Sequence, residues 1–172
     1  WGPISYRTTI TTENDLVEIF GKPTASTATH FWSAANFLAY SNNLVVVGVK
    51  GAGYLNAAVG DDGVGSGIAV NNPDHYDSPP TWTDQLFVAK YPGVRGNSLK
   101  VRAIDSNGWA DSSVNADFLT HFDGAPATST DVANAGGSQD EMHVIVIDED
   151  GQWTGDPGYV LEKFAYVSKA SD

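Results

Sequence analysis

The sequence predicts a mixed fold, α+β or α/β, in which two helices pack on a β-sheet near the N-terminus. Helical spacing of apolar residues is confined to residues 13–40, whereas strand-like apolar and β-branched runs recur along the rest of the chain. Between these regions, residues 51–84 are rich in glycine and proline and predict a loop-rich insertion followed by further β-hairpins. With 172 residues the chain is long enough to bury a core of its own.

A short strand at Thr8–Thr11 opens the chain, and a helix follows it. Thr12 stands three residues before Asp15, a spacing that resembles a capping box and predicts a helix start. Gly21 is placed to end that helix, because glycine adopts the left-handed conformation that follows many helices.

The second predicted helix begins at Ser26 or Thr27, ends near Tyr40 and leads into an apolar strand, Leu44–Val49. At 100° per residue the apolar side chains of the helix occupy less than half of its circumference. The strand shows no alternation, a pattern typical of a strand covered on both faces. The predicted helix–strand core comprises Phe31, Trp32, Ala35, Leu38, Val45, Val46 and Val47.

The remaining sequence predicts strands separated by turns. Residues 85–105 contain two strands, Asn107-Gly108 is a hairpin signal, and residues 116–122 form a weak strand or a short helix. A loop at 125–141 precedes strands at 142–148 and 159–168. We therefore divide the chain into a strand–helix–helix–strand region (1–50), a loop-rich excursion (51–84) and a β-rich continuation of the same domain (85–172).

Composition excludes several classes of function. The net charge of −12 argues against direct binding of nucleic acid, which relies on Lys and Arg to neutralise phosphates. The absence of cysteine excludes disulfides, thiolate metal sites and cysteine nucleophiles. No apolar run reaches the ~20 residues of a membrane span, so we expect no membrane insertion.

Motifs for catalysis and for cofactors are not found in the sequence. Ser66, Ser98 and Ser138 lack the flanking glycines of a hydrolase elbow. The glycine-rich stretch "GDDGVGSG" (60–67) lacks the lysine of a phosphate loop and contains two aspartates that would repel phosphate. The histidines are scattered, without the helical spacing of a zinc site: His30, His75, His121 and His143. We therefore expect no catalytic residue, no cofactor and no metal.

Asp148, Glu149, Asp150 and Asp156 form a cluster of carboxylates around an Asp-Gly turn. A calcium loop or the acid/base pair of a glycosidase would need a different spacing or carboxylates from separate elements. A solvated turn is the favoured interpretation, since carboxylates usually remain exposed.

Trp82, Trp109 and Trp153 all lie near predicted turns. Such rings serve a protein interface, a sugar platform or the rim of a core. The sequence leaves these alternatives open, and we prefer an interface because no polar pocket for a sugar can be assembled beside them.

Five segments, taken in order, resemble the tail sheath proteins of T4-like contractile-tailed bacteriophages. The segments are "WGP" (1–3), "NDLVEIFGKPT" (14–24), "FWSAANFLAYSNNLVVVGV" (31–49), "KYPGVRGNSLKV" (90–101) and "DEMHVIVIDEDGQWTGDPGYVLEKFAYVSKASD" (140–172). The resemblance touches about two-thirds of the chain, and its specificity lies in the ordered set. Members of this family are considerably longer, so the resemblance implies an N-terminal portion whose sheet is completed by later sequence.

The resemblance implies a structural, non-enzymatic subunit of the phage virion, assembled in the cytoplasm of the bacterial host. The implied partners are other copies of the subunit in rings or a helix, the tail tube protein, and baseplate and tail terminator proteins. Sheath subunits surround the tube and contract, and extended arms link neighbours by adding strands to their sheets. Two alternatives remain: a carbohydrate- or surface-binding β-rich module of a virion or secreted protein, and an acidic hydrolase using the 148–156 carboxylates.

Overall fold

The computed structural model describes residues 1–60, 67–78, 84–111 and 116–170. In the described part of the first compact unit, Trp1–Asn97, the elements are β1 (Arg7–Ile10), α1 (Glu13–Phe20), α2 (Ala28–Leu38), β2 (Leu44–Val47), β3 (Ala58–Gly60), α3 (Pro73–Asp77) and β4 (Gln85–Val88). A 3₁₀ helix, Val94–Ser98, leads to the second compact unit, Ser98–Asp172. Its described elements are β5 (Leu99–Asp105), α4 (Ser106–Trp109), α5 (Ala116–Leu119), α6 (Thr130–Asn134), β6 (Glu141–Asp148) and β7 (Tyr159–Ser168). The predicted mixed α+β class is confirmed.

The first helix forms as the sequence predicts. The Thr12 hydroxyl accepts a hydrogen bond from the Asp15 amide at 3.1 Å, and the Asp15 carboxylate accepts one from the Thr12 amide at 3.0 Å. This reciprocal pair satisfies two of the amides that a helix start leaves free. Gly21 ends the helix with a φ of +87°, a value that L-residues rarely adopt.

A two-stranded antiparallel sheet and two helices build the core of the first unit. β1 pairs with β2 from Arg7 opposite Val47 to Ile10 opposite Leu44. One face of this sheet packs against the helices, and the buried residues between them are Ile10, Leu16, Phe31 and Ala35. Burial of these four side chains holds both helices on the same side of the sheet.

The excursion after β2 contains short elements and an internal anchor. β3 pairs antiparallel with β4, and the fully buried Asn56 lies just before β3. Its amide nitrogen donates to the Ala89 carbonyl at 2.8 Å, and its side-chain oxygen accepts from the Val70 amide at 2.8 Å. The Asn56 side chain therefore links the segment at Val70 to the segment at Ala89. These bonds also satisfy its polar atoms, which are buried away from water.

A three-stranded antiparallel sheet forms the frame of the second unit, with β6 between β5 and β7. β5 pairs with β6 from Leu99 opposite Asp148 to Asp105 opposite Met142. The pairing of β6 with β7 shifts register twice, between Met142 and Val144 and between Val146 and Ile147. These shifts mark bulges, which bend an edge strand.

The apolar strands that the sequence predicts at 44–49 and 142–148 belong to different sheets, because β2 pairs with β1 and β6 with β5 and β7. Two sequence predictions differ from the structure. Asn107-Gly108 lies in α4 rather than in a hairpin, because the Asp105 carboxylate accepts hydrogen bonds from both amides and caps a helical turn. The predicted loop at 125–141 contains α6. Ser129 caps the start of this helix, and its hydroxyl accepts a hydrogen bond from the Val132 amide.

Candidate functional site

The carboxylate cluster resolves into one buried group and three exposed ones. The side chain of Asp148 is fully buried at the end of β6, whereas Glu149, Asp150 and Asp156 are exposed. Glu149 forms an ion pair with Lys100 across the β5–β6 ladder. The predicted solvated turn is therefore wrong for Asp148, because the turn folds back over this side chain.

Both oxygens of the Asp148 carboxylate accept hydrogen bonds from the protein itself. One oxygen accepts from the Ser98 hydroxyl at 2.6 Å. The other accepts from the amides of Trp153 at 2.8 Å and Thr154 at 2.9 Å, and from the Thr154 hydroxyl at 3.1 Å. The Ser98 hydroxyl accepts in turn from the Asp150 amide at 3.1 Å. This arrangement is an anchor for the turn between β6 and β7.

The hydrogen bonds of this anchor set the pKa of the Asp148 carboxyl. Burial, the largest single influence, raises the pKa of the carboxyl, but the hydrogen bonds from Ser98, Thr154 and Trp153 together outweigh it and lower the pKa to about 2. The carboxyl group is thus ionised at neutral pH, and its oxygens accept hydrogen bonds from Ser98, Trp153 and Thr154. A general acid would need a raised pKa and access to a substrate, so the geometry favours a structural role over the acidic-hydrolase alternative.

The predicted tryptophans occupy different environments. Trp109 is half-buried and lies edge-on to the His143 ring, with the ring centroids 5.6 Å apart. Trp153 is half-buried in the anchored turn, where its amide bonds to Asp148. Trp82 lies outside the described residues. The expectation that these rings form an interface stays a prediction.

The predicted helix–strand core separates into buried and exposed residues. Phe31 and Ala35 are buried, and Leu38 and Val46 pack against the core. Trp32 is 53% exposed, Val45 44% and Val47 49%, so these three are not part of the core of the chain. The helices cover only one face of the β1–β2 sheet, which leaves alternate residues of β2 on an open face.

The exposed apolar side chains of the first unit include two sets that we name; others are Tyr54, Leu55, Tyr76, Leu86 and Val94. We call Val45, Val47 and Val49 the valine face; Val45 and Val47 share their side of the sheet with Thr9 and Arg7, their cross-strand partners. Trp32, Phe37 and Tyr40 are also exposed, at different points around α2 and the turn after it, and we call them collectively the aromatic surface of α2. Apolar groups in such clusters mark interaction surfaces more often than single exposed residues do.

The first unit also contains a cavity of about 310 Å³ between α3 and the segment after β4. Its walls are mainly apolar and include Val70, Pro73 and Val88, with the rings of Tyr76 and Tyr91. A sugar site would need several convergent polar groups, so the cavity gives the carbohydrate-binding alternative no specific support.

The histidines and acidic residues do not gather into a metal site in the part of the chain that the structure describes. His75 accepts a hydrogen bond from the Asn71 amide at 3.2 Å, His30 is exposed, and His143 is buried on β6. Over the same described ranges, no helix combines the length and apolarity needed to cross a membrane.

Comparisons with known proteins identify relatives of one kind. The chain is 29% identical over 161 residues to the tail sheath protein of Salmonella phage ViI, which covers 93% of this chain and 23% of that protein. It is 55% identical over 47 residues to the tail sheath protein of Enterobacteria phage T4 and 51% over 47 residues to that of Vibrio phage KVP40, each covering 27% of this chain and 7% of the relative. This chain is similar to phage tail sheath proteins.

The predicted resemblance to the tail sheath proteins of T4-like phages is therefore confirmed. The chain spans less than a quarter of the length of each of these tail sheath proteins. No family model matches the chain, and no solved structure matches it.

Proposed function

We propose that this chain is part of a structural subunit of a contractile phage tail sheath. The observation that carries the proposal is the similarity to the ViI tail sheath protein along 93% of the chain. The subunit polymerises around the tail tube as rings or a helix, and its contraction drives the tube through the host envelope. It is not an enzyme and needs no cofactor, and its location is the tail of the virion, assembled in the host cytoplasm.

The surfaces of the first unit support this role. A polymer subunit needs apolar groups that stay exposed until neighbours cover them, and the valine face and the aromatic surface of α2 are of this kind. The acidic net charge of −12 is compatible with a sheath whose contacts are with protein rather than with DNA. We propose copies of the subunit, the tail tube protein, and the baseplate and tail terminator proteins as partners.

Electron microscopy of the full-length gene product tests the proposal. Negatively stained samples, with and without tail tubes, are expected to contain rings or tubes of uniform width. Monodisperse monomers under every salt and concentration tried, with tubes present, would contradict it.

A further inference from the structure

His143 lies fully buried on β6, and each of its ring nitrogens has a hydrogen-bond partner. Nε2 is 2.9 Å from the carbonyl oxygen of Gly124, and Nδ1 is 3.1 Å from the amide nitrogen of Tyr166. A carbonyl only accepts and an amide only donates, so Nε2 carries the hydrogen and Nδ1 offers its lone pair. The contacts therefore fit the neutral imidazole in one tautomer.

The bond to Tyr166 holds a strained bulge in β7. Met142 pairs with Val167 and Val144 with Phe164, so two residues of β7 lie opposite His143. Tyr166 has a φ of +56°, in the left-handed region, which is strained for a residue with a side chain. Its amide bonds to the imidazole rather than to a strand carbonyl, so His143 compensates the strain at this position.

Aromatic rings enclose the imidazole on several sides. Phe122 stacks on it with a centroid distance of 4.2 Å and an interplanar angle of 7°. Trp109 and Tyr166 meet it edge-on, at 5.6 Å and 4.7 Å. The Tyr166 hydroxyl reaches back towards Gly124, to within 3.6 Å of where a β-carbon on that residue would stand. Together these groups keep water from the ring.

A proton on Nδ1 is incompatible with this arrangement. It would remove the acceptor of the Tyr166 amide and set two donors against each other in a buried site. Aromatic rings attract a cation only modestly. Burying a charge and leaving a donor without an acceptor cost more than this attraction offsets, so release of the bulge is the favoured response.

Several charged groups near the aromatic cluster form hydrogen bonds or ion pairs with partners other than His143. On β5 the residue opposite His143 is Ile104, and the next residue, Asp105, binds Lys169 and the start of α4. On β7 Lys163 donates to the His121 carbonyl. Two titratable residues, His121 and Asp123, flank Phe122, and the Tyr166 phenol lies edge-on to the ring. Glu141 on β6 bonds to the Ala127 amide, and Asp140, just before β6, bonds to Ser168. The titratable groups farther along the three strands are Lys100, Arg102, Asp148, Tyr159 and Glu162. The ring nitrogens themselves face the Gly124 carbonyl and the Tyr166 amide.

We propose that His143 is a proton-operated latch on the end of β7. The neutral ring holds the bulge at Tyr166 closed, and uptake of a proton opens it and frees the outer end of the strand, residues 166–168. A proton that binds the open state and not the closed one raises the opening constant by up to about tenfold for each pH unit by which the pH is lowered.

Nuclear magnetic resonance of the 172-residue chain, labelled with ¹⁵N, tests the latch. At pH 8 the His143 ring should be the tautomer with hydrogen on Nε2. Hydrogen exchange of the Tyr166 amide, corrected for intrinsic rates, should lose protection as the pH is lowered from 8 to 5, approaching about tenfold per pH unit. Hydrogen on Nδ1 at pH 8, or protection that does not change with pH, would overturn the proposal.

Two variants separate the latch from a purely structural role. In His143→Asn the side-chain oxygen replaces Nδ1 as an acceptor that takes up no proton near neutral pH, so protection should persist to pH 5. In His143→Phe the acceptor is lost, and protection should be low at every pH. The control, His30→Gln at an exposed position, should keep the wild-type pH slope. A wild-type slope in His143→Asn would also overturn the proposal, and the measurements on the unmodified chain decide it if a variant does not fold.

Discussion

At the scale of single residues, the second unit depends on polar groups that its sequence alone would place at the surface. Asp148 is the clearest case, since an aspartate beside an Asp-Gly turn is ordinarily solvated. Here the turn wraps around it, and donors from Ser98, Trp153 and Thr154 fill both oxygens. Ser98 is 50 residues away in the chain, so no local pattern could have indicated the bond.

We expect Asp148→Asn to lower the free energy of unfolding at pH 7 by about 1.5–3 kcal/mol, the range for hydrogen bonds to a charged group. An amide presents an NH₂ group to donors that need an acceptor. Urea denaturation of the chain and the variant measures the difference. The matched control, Asp156→Asn at an exposed carboxyl of the same turn, should stay within about 0.5 kcal/mol of the parent.

The same residue gives a pH dependence with a definite sign. Its pKa is lowered from 3.8 to about 2 in the folded chain, so its contribution is complete above pH 4 and is lost as the pH falls towards 2. The stability difference between the parent and Asp148→Asn should therefore shrink between pH 4 and pH 2. An unchanged difference at pH 2 would show that the carboxylate charge is not what holds the turn.

At the scale of elements, hydrogen bonds within one turn determine where α1 begins. Tertiary packing determines what each face of β2 contacts. The capping box of Thr12 and Asp15 acts within one turn and needs no tertiary contact, so the sequence could predict it. The four-residue strand β2 carries three valines in succession, which predicts burial on both faces. Only one layer of helices is present on the described part of the sheet, so the second face stays open.

Replacing Thr12 with alanine should destabilise the first unit by about 1 kcal/mol, the usual cost of losing a helix N-cap. The amide of Asp15 would lose its acceptor while the rest of the core is retained. Thermal and urea unfolding of the variant measure this. Thr29→Ala on the exposed side of α2 is the control, and equal losses in the two variants would contradict a capping role.

At the scale of the whole molecule, the open valine face and the aromatic surface of α2 are features that stability of the isolated chain does not explain. Exposed valines in a sheet gain little until another surface removes them from water. The similarity to tail sheath proteins offers a reason for keeping them exposed, since subunits of a polymer cover one another's apolar surfaces.

If the valine face is an assembly contact, Val45→Asp and Val47→Asp in the full-length protein should raise the concentration needed for tube formation at least about tenfold. A tenfold rise in that concentration corresponds to a loss of about 1.4 kcal/mol in binding free energy. Burying an unpaired carboxylate at a contact costs more than this. Sedimentation and electron microscopy measure assembly, and the melting temperature should hardly change. Asn43→Asp, an exposed position just before β2, should assemble normally; unaltered assembly in both valine variants would remove the valine face from the contact.

The sequence by itself determined the features that depend on neighbours three or four residues apart or on composition. These are the capped start of α1, the glycine that ends it, the apolar strand of β6 and the acidic charge. The family resemblance also came from ordered segments of sequence. Only the tertiary structure decided which strands pair, which face of β2 is covered, and how Asp148 and His143 are buried. Those outcomes rest on contacts between residues tens of positions apart, whose free energy depends on what each face meets in space and not on the local pattern.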